Sequence, residues 1–443
     1  MTNKKLVLIV VDGMTPAAFE RAVESGRAPA LALLAEHGAY RRATSVFPSL
    51  TPVCLSSIAT GSGPDVHHIP HLVWWHRQER RIVEYGSSFA ALRAAGMAQS
   101  ITDTIFNMNA EHLGRDAVTV YEALEETGLI TAAVNITCYR GRTKHLPVLP
   151  WVTKAAYGPK RFFFYSLFES DQTGAPFAVR NRAGGSIDAY AAAVGRWLVT
   201  RDGFDFLAYY LSDFDYASHE HGPEGAEAVA LARTDAAIQA LLDAAGGVDA
   251  FLERYAVIVH SDHGQTTVGR AAQLEVPLAA HADSIVVTAS NRAGQVYLLP
   301  DARVDAATLA RALDSEVSVE TTLRLEGDEA VARRAGEELR FRPEGDGWRT
   351  AGDASILEYP DAFNRTWSAL ANPNAGELLI SAAPDWEFVD IGGRHHSGGG
   401  SHGSLTEGDS IVPVLTIGVD ASIERITDVT PAVIEHFSRA RIA

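Results

Sequence analysis

Residues 6–26 read LVLIVVDGMTPAAFERAVESG, and this stretch decides the fold. Its first part, Leu6–Val11, is apolar at every position. A strand with one wet face would alternate, so an unbroken run is expected to be covered on both faces, as in a parallel sheet. The second part is a helix by its punctuation. Thr15 stands at the cap, Pro16 in the first turn where no amide is missed, and Gly26 where the chain turns away. Asp12 closes the strand.

The same alternation recurs along the chain. Helical patterns cover APALALLAEHG (28–38), IDAYAAAVGRWLVT (187–200), about 224–245 and the segment from about Thr430. A short extended segment appears at Tyr40–Val46, and extended apolar runs at ITAAVNIT (130–137), FDFLAYYLSD (204–213), YAVIVHSD (255–262), GELLISAA (376–383) and IVPVLTIG (411–418). Strand and helix in turn predict an α/β fold with a doubly wound, mostly parallel sheet flanked by helices. Two stretches break the rhythm. Residues 67–114, rich in His, Trp and Asn, read as a lid-like insertion, and the more charged residues 300–375 as an inserted α+β subdomain.

Bulk composition narrows the function. At 443 residues and 47% hydrophobic content the chain can bury a large core. A net charge of −17 argues against bulk nucleic-acid binding and against lying on an anionic membrane, both of which need a basic surface. It leaves room for a small anionic substrate at a local cationic site. The two cysteines, Cys54 and Cys138, make no disulfide framework and no Cys-rich zinc motif. The opening MTNKKLVLIVVDG is too short in its apolar part for a signal peptide, and no stretch is long enough to span a bilayer. The expected location is the cytoplasm.

FPSLTPVCLSSIATG (47–61) raises a sharper question. Thr51 before Pro52 fits a helix cap, with the helix running to about Thr60 and stopped by Gly61. A hydroxyl at a helix N-terminus also sits in a positive field that stabilises an alkoxide. The strand ends bear on that choice. Three predicted strands end in carboxylates, at Asp12, at Asp213 and Asp215, and at Asp262, on the edge where open α/β sheets bind ligands. Asp215 and His219 are four residues apart and face one way on a helical turn. His263 adjoins Asp262, and the glycine-rich GGRHHSGGGSHGS (392–404) supplies His395, His396 and His402. Oxygen and imidazole ligands without thiolate suit zinc, manganese or iron.

The ordered set VVDG, FPSLTP…ATG, DYASHEHGP, SDHG and GSHGS resembles the alkaline phosphatase superfamily, and within it the type I phosphodiesterase/nucleotide pyrophosphatase family. The similarity runs from residue 7 to about residue 418, which implies a single catalytic domain over 1–443. The resemblance implies two divalent metal ions, Zn2+ first and Mn2+ or Fe as alternatives. Asp12, Thr51, Asp262 and His263 would hold one, and Asp215, His219 and His402 the other. It implies Thr51 as nucleophile in an in-line displacement at phosphorus through a phosphoryl-threonine.

The chain departs from the family's pattern after the nucleophile. VHHIPHLVWWH puts His68 where the family has glycine and Leu72 where it has a phosphate-orienting asparagine. Asn107, Asn109 or the backbone at Thr51–Pro52 is expected to replace that amide, Trp74 and Trp75 either to wall a substrate pocket or to pack within the lid, and His395 and His396 to line the site. RGRTKH (140–145) reads as a solvated loop, with binding of a substrate's far phosphate as the alternative, and Cys54 lacks the proline and arginine of a sulfatase motif. The function expected is hydrolysis of a phosphodiester, either a nucleotide or another small organic diester. Phosphonate hydrolysis, phosphomonoester hydrolysis and a metal-loaded binding protein are the alternatives, and the oligomeric state is open.

Overall fold

The computed structural model describes residues 4–148, 154–170 and 186–439. Its centre is an eight-stranded sheet. In chain order the strands are β1 (Lys5–Val11), β2 (Ala39–Thr44), β3 (Thr131–Val134), β4 (Arg161–Phe164), β5 (Phe168–Ser170), β6 (Phe206–Leu211), β7 (Tyr255–His260) and β8 (Ile411–Ile417). They lie in the spatial order β2-β8-β7-β1-β6-β3-β4-β5. β7, β1, β6, β3 and β4 run parallel, whereas β8 is antiparallel to β7 and β2, and β5 to β4.

β1 shows why the unbroken apolar run was needed. Leu6, Leu8 and Val10 pack into one layer with Val53, Leu55 and Ile58 of the Thr51–Thr60 helix. Val7, Ile9 and Val11 face the other layer, among Phe19, Leu31, Leu198 and Ile238. Each such side chain, fully buried, contributes about 1.5–3 kcal/mol. Register then sets the functional edge. Val11 pairs with Leu211 and Val10 with His260, so the parallel strands β1, β6 and β7 deliver their following residues to one side.

A second sheet is antiparallel throughout. Its seven strands come from Ile285–Ser290, Ala293–Leu298, Val319–Glu326, Glu329–Arg334, Glu337–Glu344, Gly347–Gly352 and Leu378–Ala382. Leu378–Ala382 therefore belongs here, between Ala293–Leu298 and Val319–Glu326, and not to the parallel sheet that its apolar run suggests. A fully buried strand reads alike in either sheet, because periodicity reports burial and not partners. The helix expected from about 224 to 245 is also divided. Helices span Asp213–Val229 and Leu231–Ala245, and the first is broken at Gly222 (φ 75°), where Pro223 disfavours helical backbone in the residue before it. Residues 73–112 form a hairpin, Val73–His76 with Arg81–Glu84, then short helices and a wide π-turn over Asp103–His112.

Candidate active site

Thr51 is the first residue of its helix, and Leu50, extended at φ −114°, takes the cap position. This corrects the expectation that Thr51 caps the helix. With Pro52 second in the helix, the Thr51 hydroxyl is free of backbone duty and lies 3.1 Å from His263 Nε2. Gly61 ends the helix at φ 63°, as expected.

Three histidines are oriented by the same device. His263 Nδ1 donates to Gly264 O (3.0 Å), His219 Nδ1 to Gly400 O (2.9 Å) and His402 Nδ1 to Ser49 O (2.7 Å). Each carbonyl fixes the tautomer and turns Nε2 toward the carboxylates. His263 Nε2 stands 3.2 Å from Asp12 Oδ1 and 3.6 Å from Asp262 Oδ2. His219 Nε2 is 3.3 Å from Asp215 Oδ2, one helical turn apart, and His402 Nε2 is 3.9 Å from Asp215 Oδ1. The His263 and His402 rings stack at 3.6 Å. Gln265 and Tyr210, neither singled out from sequence, donate to Asp215 Oδ1 and Asp12 Oδ2.

Two overlapping groups of donor atoms result, Asp12 with Asp262 and His263, and Asp215 with His263 and His402. Their electrostatics fit a cation. Burial first, then the charges of Asp215 and Asp262, push the Asp12 carboxyl well up. Asp262 is pushed up to about 7 by burial and then by Asp215. Burial would raise Asp215 as well, but His219 first, then His402 and His263, hold it well below the carboxylate range. The same Asp215 charge lifts His219 to about 9 against its burial. Asp12 Oδ1 and Asp262 Oδ2 are buried and accept no hydrogen bond among the described residues. Buried oxygens of this kind are costly unless something satisfies them, and a divalent ion with oxygen and imidazole ligands would.

The cluster opens into a cavity of about 910 Å³ that Thr51, Asp215, His219 and His402 help to line. His395 and His396 also line it. The other pocket residues expected from sequence are placed elsewhere. Trp74 is only 1% exposed and packs on His76 and His112, and Trp75 packs partly buried against the core. Asn107 donates to Asp103 Oδ1 (2.7 Å). Asn109 donates to Thr137 O and accepts from the Tyr139 and Arg140 amides, which consumes both ends of its side chain. Leu72 does line the cavity, and the side-chain amide among the lining residues is Asn291, whose Nδ2 donates to His402 Nε2 at 2.9 Å. Asn291 turns the chain between two strands of the second sheet at φ 54°. Asn-Arg between the runs DSIVVTAS and AGQVYLL is not among the pairs favoured in two-residue hairpins, and nothing in it ties the turn to the site. Asp213 points away, accepting from the Ile187 amide and lying 3.4 Å from Arg233. Arg140 and Arg142 of RGRTKH are taken by Glu122 and Glu126.

Among curated proteins none matches this chain. Solved structures do. Phosphonoacetate hydrolase from Sinorhizobium meliloti 1021, in complex with phosphonoformate, is 19% identical with a TM-score of 0.62, over 99% of this chain and 96% of that one. Murine ectonucleotide pyrophosphatase/phosphodiesterase 5 is 13% identical with a TM-score of 0.62, over 98% of this chain and 95% of that one. An inactive form of the murine protein in complex with AMP gives a TM-score of 0.60 at 12% identity, over 98% and 95% of the two chains. The sequence profile of the type I phosphodiesterase/nucleotide pyrophosphatase family matches residues 6–405, and the chain belongs to that family, within the alkaline phosphatase superfamily.

Proposed function

We propose that this protein hydrolyses a small organic phosphodiester, with Thr51 as nucleophile. Family membership supports a phosphoric-ester hydrolase. The observation that carries the finer reading is the position of Thr51 Oγ1, at a helix start, 3.1 Å from His263 Nε2 and on the wall of the cavity.

Asp12, Thr51, Asp262 and His263 would hold one divalent ion and Asp215, His219 and His402 a second, with Zn2+ ahead of Mn2+ and Fe. When bound, such ions supply the positive charge that lowers the hydroxyl pKa and offsets charge on the phosphoryl oxygens. The chain's own residues do the rest. The first turn of the Thr51–Thr60 helix adds its dipole at the hydroxyl. Thr51 Oγ1 forms a bond to phosphorus while the bond to one alcohol oxygen breaks, and that alcohol leaves with a proton. Water then cleaves the phosphoryl-threonine, releasing the monoester and restoring the hydroxyl. Asn291 offers an amide donor to a phosphoryl oxygen at the cavity floor. Residues 67–114 cap the site, with Tyr85, Phe89 and Met108 in its wall.

Cleavage of a phosphonate is the second reading, favoured by the fold shared with phosphonoacetate hydrolase. The cavity supports the diester. About 910 Å³ is room for a drug-sized ligand and far more than a two-carbon phosphonate fills, and no lysine lines it among the described residues. No helix among the described residues is long and apolar enough to cross a membrane. Two buried free cysteines support the cytoplasm as the working location. Turnover of bis(4-nitrophenyl) phosphate, 4-nitrophenyl phosphate and phosphonoacetate, after chelation and metal return, tests the assignment. The diester should be the best substrate. Preference for phosphonoacetate or the monoester would replace this reading, and metal binding with no turnover of any would leave a binding protein.

A further inference from the structure

The cavity has charged lining residues beyond the carboxylate–histidine cluster itself. Outside the seven residues of the proposed metal sites, its charged or titrating lining is Glu220, Arg394, His395, His396 and tyrosines. His396 is committed, with Nδ1 3.0 Å from the buried Glu387 carboxylate and its ring stacked on His219 at 4.1 Å. Glu220 lies 3.7 Å from His221. Arg394 makes no ion pair among the described residues, although acidic residues outnumber basic ones 55 to 38 in this chain.

The backbone beneath Arg394 is braced. Asp390 Oδ1 accepts the amides of Gly392 and Arg394 at 2.8 Å each, and the Asp390 amide returns to Arg394 O at 2.9 Å. The same turn is pressed against the 89–95 helix, since a Cβ on Gly392 would meet Ala91 N at 2.3 Å. A guanidinium on a fixed base, facing a cavity and without a carboxylate partner, is arranged to receive an anion from outside the chain. The same cavity is also lined by Phe89, 66% exposed, and Tyr216, 76% exposed.

We propose that Arg394 forms a subsite for a second anionic group on the substrate, so that the preferred diester carries a negative charge on its distal substituent. This rests on the cavity's being the substrate site, as in the phosphodiesterase reading. The anion is a carboxylate or a phosphate, which share this recognition chemistry.

Calorimetric binding to the metal-loaded protein tests it without turnover. The probes are a homologous series of alkylphosphonates, the same chains ending in a carboxylate, and the same chains ending in a second phosphonate. At some chain length the anionic tail should bind about fivefold tighter than the apolar tail, the upper range for an exposed ion pair. Arg394→Gln should abolish that preference while leaving the alkylphosphonates unchanged, and Arg394→Lys should restore most of it. The better of the two anionic tails identifies the group. Absence of any preference along the series, or a preference that survives Arg394→Gln, overturns the subsite. Turnover of bis(4-nitrophenyl) phosphate by the same samples reports separately on the hydrolase reading, because that ester carries no second charge.

Discussion

Gly13 shows how tightly single residues are specified here. Its φ is 66°, and a Cβ would sit 2.8 Å from both Asp215 Oδ1 and Gln265 Nε2. Gly13→Ala should therefore cost about 1–2 kcal/mol of stability through backbone strain and weaken metal binding by displacing Asp215. Chemical denaturation and metal titration would read the two effects apart. Asn291 makes a different claim. Its φ of 54° is one that glycine also accepts, so Asn291→Gly removes the amide and keeps the turn. If that amide serves the phosphoryl group, kcat/KM should fall about tenfold, in line with one lost hydrogen bond to a charged group, while the melting temperature hardly moves. An unchanged kcat/KM would reduce Asn291 to a turn residue.

At the level of elements, the site is assembled from segments that tertiary contacts hold in place. Arg365 is buried and donates to Val46 O at 3.2 Å, to Leu405 O at 3.4 Å and to Pro360 O at 3.1 Å. It thereby ties the approach to Thr51 to the loop that carries His402. Burial pulls its guanidinium down only to about 10, so it stays charged at neutral pH. Arg365→Met should leave buried carbonyls unpaired and cost about 3 kcal/mol, read as a lower urea midpoint, together with weaker metal affinity. Much of this level was legible in the sequence. The apolar run of β1, the carboxylates after β1, β6 and β7, and the one-turn spacing of Asp215 and His219 all follow from local pattern. What escaped depended on distant partners. Leu378–Ala382 was buried wherever it lay, so its sheet could not be read from periodicity. Asn107 and Asn109 had the right chemistry, but Asp103 and the backbone at 137–140 already occupy them. Asn291 reaches the site only because the second sheet brings its hairpin to His402.

Across the whole molecule, an acidic protein is expected to handle an anionic substrate, and the proposed cations would reconcile the two. Burial and Asp215 push Asp262 up to about 7, and Asp215 lifts His219 to about 9, so a cation binding at these groups would compete with protons. Metal affinity should therefore rise as pH climbs through 7 towards 9, and loading at neutral pH should release protons, which calorimetry in buffers of different ionisation enthalpy would count. If the proposed ions bind the folded state in preference to the unfolded chain, chelation should lower the melting temperature and metal return should restore it. The most direct measurement is turnover of bis(4-nitrophenyl) phosphate by Thr51→Ala with its metal content determined alongside. The hydroxyl lies within reach of His263 and at the head of the cavity, so its loss should lower kcat about a thousandfold or more while most of the metal stays bound. Turnover near the wild-type rate in a metal-loaded Thr51→Ala protein would contradict the assignment of Thr51 as nucleophile.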